Sequence, residues 1–208
     1  MLQVNLKETY YSVVNSYTKD SLLTESLWKE IESHYSAKGR HYHDLRHLEH
    51  LLAEVESCKS LIYDRDRVLF ALFYHDIIYK ATAKDNEEKS ADAAVLALSR
   101  IGLSPEKIEK CRAIILATKS HAVSPDNDTN LFTDADLSIL GSDREEYSRY
   151  FKNVRKEYSV YPDLLYNPGR KKVLMHFLGM ENIFKTEFFR EKYEERAREN
   201  LKNEIRIL

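Results

Sequence analysis

The adjacent residues His75 and Asp76 lie in the middle of a strongly apolar stretch, VLFALFYHDIIYK, which runs from Val68 to Lys80. An aspartate that leaves water without a partner costs several kcal/mol, or its pKa shifts until the carboxyl is neutral. We therefore expect a helix cap, an arginine or a cation to hold Asp76 in its ionised form. The alternative without a ligand is a core histidine that is hydrogen-bonded to a buried aspartate.

A second histidine-aspartate pair, His43-Asp44, opens the histidine-rich stretch HDLRHLEHLL. Asp44 precedes a stripe of leucine and valine at helical spacing, so an N-cap is a sufficient explanation for it. On that helix His47 falls beside the apolar stripe, whereas His50 falls on the far side and should be wet. His47 is therefore the better ligand candidate, with His43 close to it as a supporting or substrate-contacting group.

The stretch NLFTDADLSILG repeats the anomaly of a carboxylate on an apolar face. On a helix, Asp136 falls on the buried face with Phe132 and Ile139, whereas Asp134 points the other way, toward solvent. We therefore predict a cap or surface role for Asp134. Asp136 is a second carboxylate that a soluble core should hold only with a counter-charge.

Three predicted helices thus supply His47, the pair His75-Asp76, and Asp136. Two imidazoles and two carboxylates suit a divalent ion (Mn, Fe, Co, Ni, Mg or Zn) with coordination positions left for water. The sequence has 2 cysteines, which excludes an all-cysteine zinc site. A buried polar network without metal is the alternative.

Helices must position these side chains, because 5 glycines and 4 prolines are few and strand-like alternation is hard to find. The sequence therefore predicts an all-α protein with one domain, residues 1–208, in which the last third, from about residue 144, is left open as a subdomain. The predicted helices are Leu6–Tyr17, Leu22–Tyr35, Asp44–Ser60, Arg65–Tyr79, Asn86–Ile101, Pro105–Thr118, Asn130–Leu140, Arg144–Tyr158, Gly169–Met180 and Glu187–Ile205.

Composition excludes several functional classes. A net charge of -2 gives no electrostatic case for binding nucleic acid or an anionic membrane. The chain has no long apolar segment and no signal pattern, and its distant cysteines suggest reduced thiols, so we expect a cytoplasmic protein. The scattered glycines exclude a glycine-rich phosphate loop. Any phosphate must therefore be handled by side chains or a metal.

The order H…HD…D resembles the HD superfamily of metal-dependent phosphohydrolases. The segments YHDLRHLEHLL, FYHDIIYKATAKDNEEKSA, TKSH, FTDADLSILG and PGRKKVLMHFL look like an uncharacterised bacterial branch of this superfamily. The resemblance covers nearly the whole chain and implies a single-domain HD-type helical bundle. It also implies metal ligands that agree with the choice from helix faces: His47, His75, Asp76 and Asp136.

The resemblance also implies roles around the metal. Related HD nucleotidases use a glutamate shortly after the HD pair, so Glu87 is the expected acid/base. Asp76 is the other residue expected to be catalytic. Asp85 is the alternative acid/base, and plain capping of the next helix is the reading without catalysis. Lys119 and His121 of the TKSH segment are expected to contact substrate phosphate or a second metal.

Two further groups are assigned by position. His43 is expected to contact substrate, and Arg170, after the sequence NPG, to bind an anionic substrate or a neighbouring subunit. Most other basic residues, among them Arg40 and Arg46, are interpreted as solvated faces. The sequence is compatible with a homodimer.

The predicted function is hydrolysis of a phosphate ester or anhydride of a small molecule, with a nucleotide as the leading candidate and a metal-activated water as the nucleophile. One alternative is a non-catalytic HD module that binds a nucleotide. The other is an HD-type diiron oxygenase, in which His43 or His121 would be a direct ligand. Fold resemblance alone does not choose among these.

Overall fold

The computed structural model describes residues 5–208, which are mostly helical. No strand occurs in this described part of the chain, so the predicted all-α class is confirmed. Its α-helices are α1 (Leu6–Val14), α2 (Ser21–Tyr35), α3 (Leu45–Ser57), α4 (Arg65–Tyr74), α5 (Asn86–Arg100), α6 (Pro105–Ala117), α7 (Asn127–Leu137), α8 (Arg144–Glu157), α9 (Asp163–Gly179) and α10 (Glu187–Ile207).

Short polar side chains cap the start of several helices. Asp44 caps α3 as expected, because its Oδ1 accepts from the backbone N–H of Arg46 at 2.9 Å. Before α6, Gly102 adopts a φ of +78°, which an L side chain rarely tolerates. Ser104 then caps α6, with Pro105 at the first helical position.

Two helices begin well before their predicted first residues, Asn130 and Gly169. α7 begins at Asn127 because Asp126 supplies the cap, its Oδ2 accepting from the N–H of Thr129 at 3.2 Å. α9 begins at Asp163, although the sequence NPG led us to place its start at Gly169. Pro168 has no backbone N–H, so the carbonyl of the residue four positions earlier lacks its helical hydrogen bond. That carbonyl belongs to Leu164, which is exposed and can bind water instead.

The structure forms two compact units, one ending at Thr133 and the other comprising Asp134–Leu208. In the first unit α4 is the central helix and contacts α1, α3, α5 and α6. Every residue from Arg67 to Tyr74 is buried. This central position explains why the stretch is apolar on all sides, whereas a helix at the surface would show one apolar face.

The second unit contains α8, α9, α10 and a short 3₁₀ turn at Ser138–Gly141. Helix α10 packs closely on this turn, since a Cβ built on Gly141 would lie 2.5 Å from the Cβ of Tyr193. The Asn200 amide donates to the Leu140 carbonyl at 2.9 Å and to the Ser142 carbonyl at 3.0 Å. The unit thus begins at Asp134, about ten residues before position 144, where the sequence suggested that a subdomain could begin.

No helix within residues 5–208 combines the length and the apolar character that crossing a membrane would need.

Candidate metal centre

His75 lies at the C-terminal end of α4, where its backbone N–H donates to the Ala71 carbonyl at 2.8 Å. The ring Nδ1 lies 3.0 Å from the carbonyl oxygen of Leu72. A carbonyl can only accept, so Nδ1 carries a proton, and the Nε2 of a neutral ring then bears a lone pair. A backbone carbonyl on the far nitrogen is the usual arrangement of a metal-binding histidine.

His47 approaches the same point from α3. Its Nε2 lies 3.0 Å from the Nε2 of His75, and both side chains are almost fully buried. Two nitrogens this close require a shared proton or a shared cation, because two facing lone pairs repel each other. Ligands at right angles around one ion, each about 2.1 Å from it, lie about 3.0 Å apart. The spacing therefore fits two ligands of one ion.

Asp76 supplies the negative charge of this group. Its Oδ2 lies 3.3 Å from the Nε2 of His75 and 4.0 Å from that of His47. Burial opposes ionisation of the carboxyl, but the nearby imidazoles outweigh it, His75 most strongly, and hold the pKa of Asp76 below its usual value. Asp76 is therefore an anionic acceptor at neutral pH.

The prediction that Asp76 lies inside a helix is wrong. α4 ends at Tyr74, and Asp76 belongs to the turn that follows. The backbone N–H of Asp76 donates to the hydroxyl of Tyr35 at 3.1 Å. Arg40 donates to the carbonyls of Asp76 and Ile77, each at 2.8 Å. These side chains replace the helical bonds, so the chain can leave the helix directly after His75.

The interpretation of Arg40 as a solvated residue is also wrong, because its guanidinium is bonded to backbone carbonyls. Helix α5 supports the end of the same turn. The Ser90 hydroxyl bonds both the N–H and the carbonyl of Ile78, each at 3.1 Å. Asn86 does the same for the N–H and carbonyl of Lys80, at 3.1 and 3.0 Å. Sequence reasoning missed these residues, since only their polar character in KDNEEKSA hinted at a role.

His43 stands at the edge of the group. Its Nε2 lies 4.0 Å from the Oδ2 of Asp76, and its ring stacks on Tyr79 with centroids 4.2 Å apart. Its side chain is 21% exposed, whereas that of His75 is 1% exposed, so His43 faces the accessible side. The first unit thus brings together four of the predicted site residues: His43, His47, His75 and Asp76.

Asp136 lies near the end of α7, in the second unit, and is half-buried. Its neighbour Asp134 is fully buried, so the prediction that Asp134 faces solvent is wrong. The Asp134 carboxylate accepts from the backbone N–H groups of Lys185 and Thr186 at 2.9 and 2.7 Å, and pairs with the Lys185 ammonium at 3.1 Å. A later chain segment therefore covers the face of α7 that helical phase alone assigned to solvent.

Glu87 is half-buried and lies in the first turn of α5, next to Glu88. Lys119 pairs with Glu88 and donates to the Lys84 carbonyl at 2.9 Å. The bond to Glu88, and more weakly the charges of Glu87 and Asp85, raise the pKa of Lys119. Asp85 makes no side-chain cap bond and instead pairs with Lys89 at 2.9 Å. Glu87 and Lys119 thus share one patch, while their catalytic roles stay predictions.

The two remaining predicted residues lie elsewhere in the chain. His121 follows α6 with a φ of +50°, the left-handed region. Arg170 is in α9 of the second unit, where its Nε lies 2.7 Å from Glu204 Oε1 in a buried ion pair. The guanidinium also lies over the Tyr150 ring. Substrate binding by Arg170 stays a prediction, and the ion pair offers a structural role for the same side chain.

Comparisons of this chain with family models, with curated proteins and with solved structures give no significant match.

Proposed function

We propose that this protein is a metal-dependent phosphohydrolase of the HD type that acts on a small phosphorylated molecule, with nucleotides as the leading class, in the cytoplasm. The observation that carries the proposal is the convergence of His47 Nε2, His75 Nε2 and Asp76 Oδ2 in the first unit. Two neutral imidazoles and a carboxylate are a donor set for Mn, Fe, Co, Ni, Mg or Zn. The ligand order along the chain supports the same assignment.

Asp136 is proposed as a further ligand, as the sequence pattern predicts, because a second carboxylate beside two imidazoles suits a divalent ion. Within α7, Asp136 comes one helical turn after Phe132. The Phe132 ring makes an edge contact with the His75 ring, with centroids 5.7 Å apart. Residues four apart share a helix face, and this register supports the inclusion of Asp136 rather than Asp134.

A bound divalent ion would activate a water and neutralise phosphate charge. The protein would hold the ion through His47, His75, Asp76 and Asp136, while His43, on the accessible side of Asp76, would contact the phosphate oxygens. Glu87 would move protons to the leaving oxygen, and Lys119 would supply positive charge from the same patch. His121 and Arg170 are further candidates for binding the substrate anion.

The test is a screen of metal-loaded protein against phosphomonoesters, nucleotides and cyclic nucleotides. We expect metal-dependent release of phosphate or of a nucleotide product from at least one class. Asp76→Asn should reduce turnover to background. Glu87→Gln should reduce kcat by about 10²–10⁴-fold while metal content is retained, as expected of a general acid/base. Asp92→Asn, a change at an exposed position of α5, is the matched control and should leave kcat unchanged.

Protein that binds the ion but hydrolyses none of these substrates, yet binds a nucleotide, would instead support the non-catalytic HD module. Protein that neither binds the ion nor turns over substrate would overturn the proposal.

The position of His43 favours the HD-type diiron oxygenase as a second candidate. Its Nε2 lies 4.0 Å from the same carboxylate oxygen that approaches His75 and His47, so His43 and Asp76 would be the residues that could hold a second ion. Iron-loaded protein would then hold two ions per chain and consume oxygen with a suitable organic substrate. A stoichiometry of one ion that is unchanged in His43→Ala would exclude this candidate.

A further inference from the structure

We propose that Arg40 is a positioning residue that fixes His43 and Asp76 relative to each other, and thereby sets the affinity of the centre for its ion. The inference rests on the proposed metal site, and it concerns a residue that touches neither ion nor substrate. It starts from a difference between the candidate ligands. His47 and His75 are carried by helices α3 and α4, whereas His43 and Asp76 lie in turns outside the helices.

One nitrogen of Arg40 joins the two turns. Its Nη1 donates to the His43 carbonyl at 2.9 Å and to the Asp76 carbonyl at 2.8 Å. Its Nη2 donates to the next carbonyl, that of Ile77, at 2.8 Å. Arg40 therefore binds the main chain of the same two residues whose side chains, His43 Nε2 and Asp76 Oδ2, lie 4.0 Å apart. The clamp acts on the backbone and leaves the Asp76 carboxylate to other partners.

Aromatic rings hold the guanidinium in place. Its Cζ lies 4.7 Å from the Tyr35 ring centroid and 5.5 Å from that of Tyr79. Tyr35 also accepts the backbone N–H of Asp76, and Tyr79 stacks on His43. The cation and both rings thus contact the same two turns. A cation on aromatic faces loses little mobility when it forms its hydrogen bonds, so the clamp is preorganised.

Only arginine fits this role. A planar guanidinium presents several N–H groups in a fixed fork, which can reach three carbonyls in two segments at once. A lysine ammonium has the charge but neither the plane nor the span, and it stacks less well on tyrosine. Arg40→Lys should therefore fold and keep the local charge, while it loses the geometry that the two turns need.

The test measures ion affinity by calorimetric titration with Ni²⁺ of wild type, Arg40→Ala, Arg40→Lys and the control Arg65→Ala. Arg65 pairs with Glu56 in the same unit and makes no bond to either turn. Changes in groups that orient metal ligands lower affinity by about 10–100-fold, and we expect this for Arg40→Ala. Arg40→Lys should lie between Arg40→Ala and wild type, and Arg65→Ala should match wild type.

Amide hydrogen exchange of the ion-free proteins provides a readout that does not depend on metal. In both Arg40 variants, protection should fall in the Tyr42–Asp44 and Asp76–Tyr79 segments and stay unchanged in α6. If Arg40→Ala does not fold, Arg40→Lys carries the test. Wild-type affinity in the Arg40 variant tested, or an equal loss in Arg65→Ala, overturns the positioning role while the metal site stands. A wild type that binds no ion instead overturns the proposed function, and hydrogen exchange still tests the clamp.

Discussion

Two clusters of polar side chains, one in each compact unit, differ in their charge balance: Arg170 with Glu204 in the second unit, and the histidines around Asp76 in the first. In the second unit, the guanidinium of Arg170 meets the carboxylate of Glu204 at two points, 2.7 and 3.0 Å, and the Tyr147 hydroxyl donates to Glu204 as well. In the first unit, imidazole nitrogens of His47 and His75 converge with the carboxylate of Asp76. The cluster of the second unit therefore contains its own cation, the Arg170 guanidinium.

This difference separates a structural cluster from a candidate binding site. Burial lowers the pKa of Arg170, but Tyr150 and Glu204 outweigh this effect and raise it well above its usual value, so the cation is permanent. The centre around Asp76 is built from imidazoles and a carboxylate, and its positive charge would come from protonated imidazoles or from a bound ion. Imidazole nitrogens that converge with a carboxylate oxygen are a donor set expected of a metal centre.

The largest predicted effect on stability comes from breaking the cluster of Arg170 and Glu204 in the second unit. Arg170→Met should lower the free energy of unfolding by about 3–5 kcal/mol, because it leaves the Glu204 carboxylate buried without its cation. Urea unfolding of the ion-free protein measures the loss. Arg149→Ala, which removes an exposed pair with Glu145, is the control and should cost about 0–1 kcal/mol. A stable Arg170→Met protein with a raised KM would instead support the substrate role predicted from sequence.

The next effect concerns the centre in the first unit. A ligand that binds only the folded state adds about 2.7 kcal/mol at a concentration of about one hundred times Kd. A chelator should therefore lower the melting temperature, and Mn²⁺ or Ni²⁺ should restore it. Asp76→Asn should abolish this response, since a neutral amide is a poor ligand for a divalent ion.

A wild-type melting curve that is indifferent to both chelator and metal would show that His75 and Asp76 form only a hydrogen-bonded polar pair. Arg170→Met should keep the metal-dependent rise even though its baseline stability is lower. These two results would distinguish the structural ion pair of the second unit from the metal site of the first.

The smallest effect is expected at a neighbouring histidine. His47 is buried and contacts His75, whereas His50 is half-buried and lies three residues later on α3. His50→Ala should therefore leave metal content unchanged and alter stability by less than about 0.5 kcal/mol. His47→Ala should lose the ion, as judged by metal analysis after dialysis. The reverse outcome would show that helical phase selected the wrong histidine.

The amino-acid sequence by itself determined the local features of this protein. Helical periodicity identified the helices, Asp44 marked where α3 begins, and the phase of α3 placed His47 in the core. These features depend on residues within about one or two helical turns, so a single sequence contains the information they need. The apolar residues on both sides of His75 and Asp76 likewise indicated that a polar site lies within the core.

The tertiary structure decided which side chains meet from distant positions in the chain. It ended α4 at Tyr74, because Tyr35 and Arg40 bind the backbone of the following turn. It buried Asp134, which had been expected to face solvent, under the segment that contains Lys185. It also paired Arg170, which had been expected to bind an anionic substrate or a neighbouring subunit, with Glu204. Each of these outcomes depends on a hydrogen bond or an ion pair between residues 34 or more positions apart. Periodicity within one helix carries no information about which distant segment will cover its outer face.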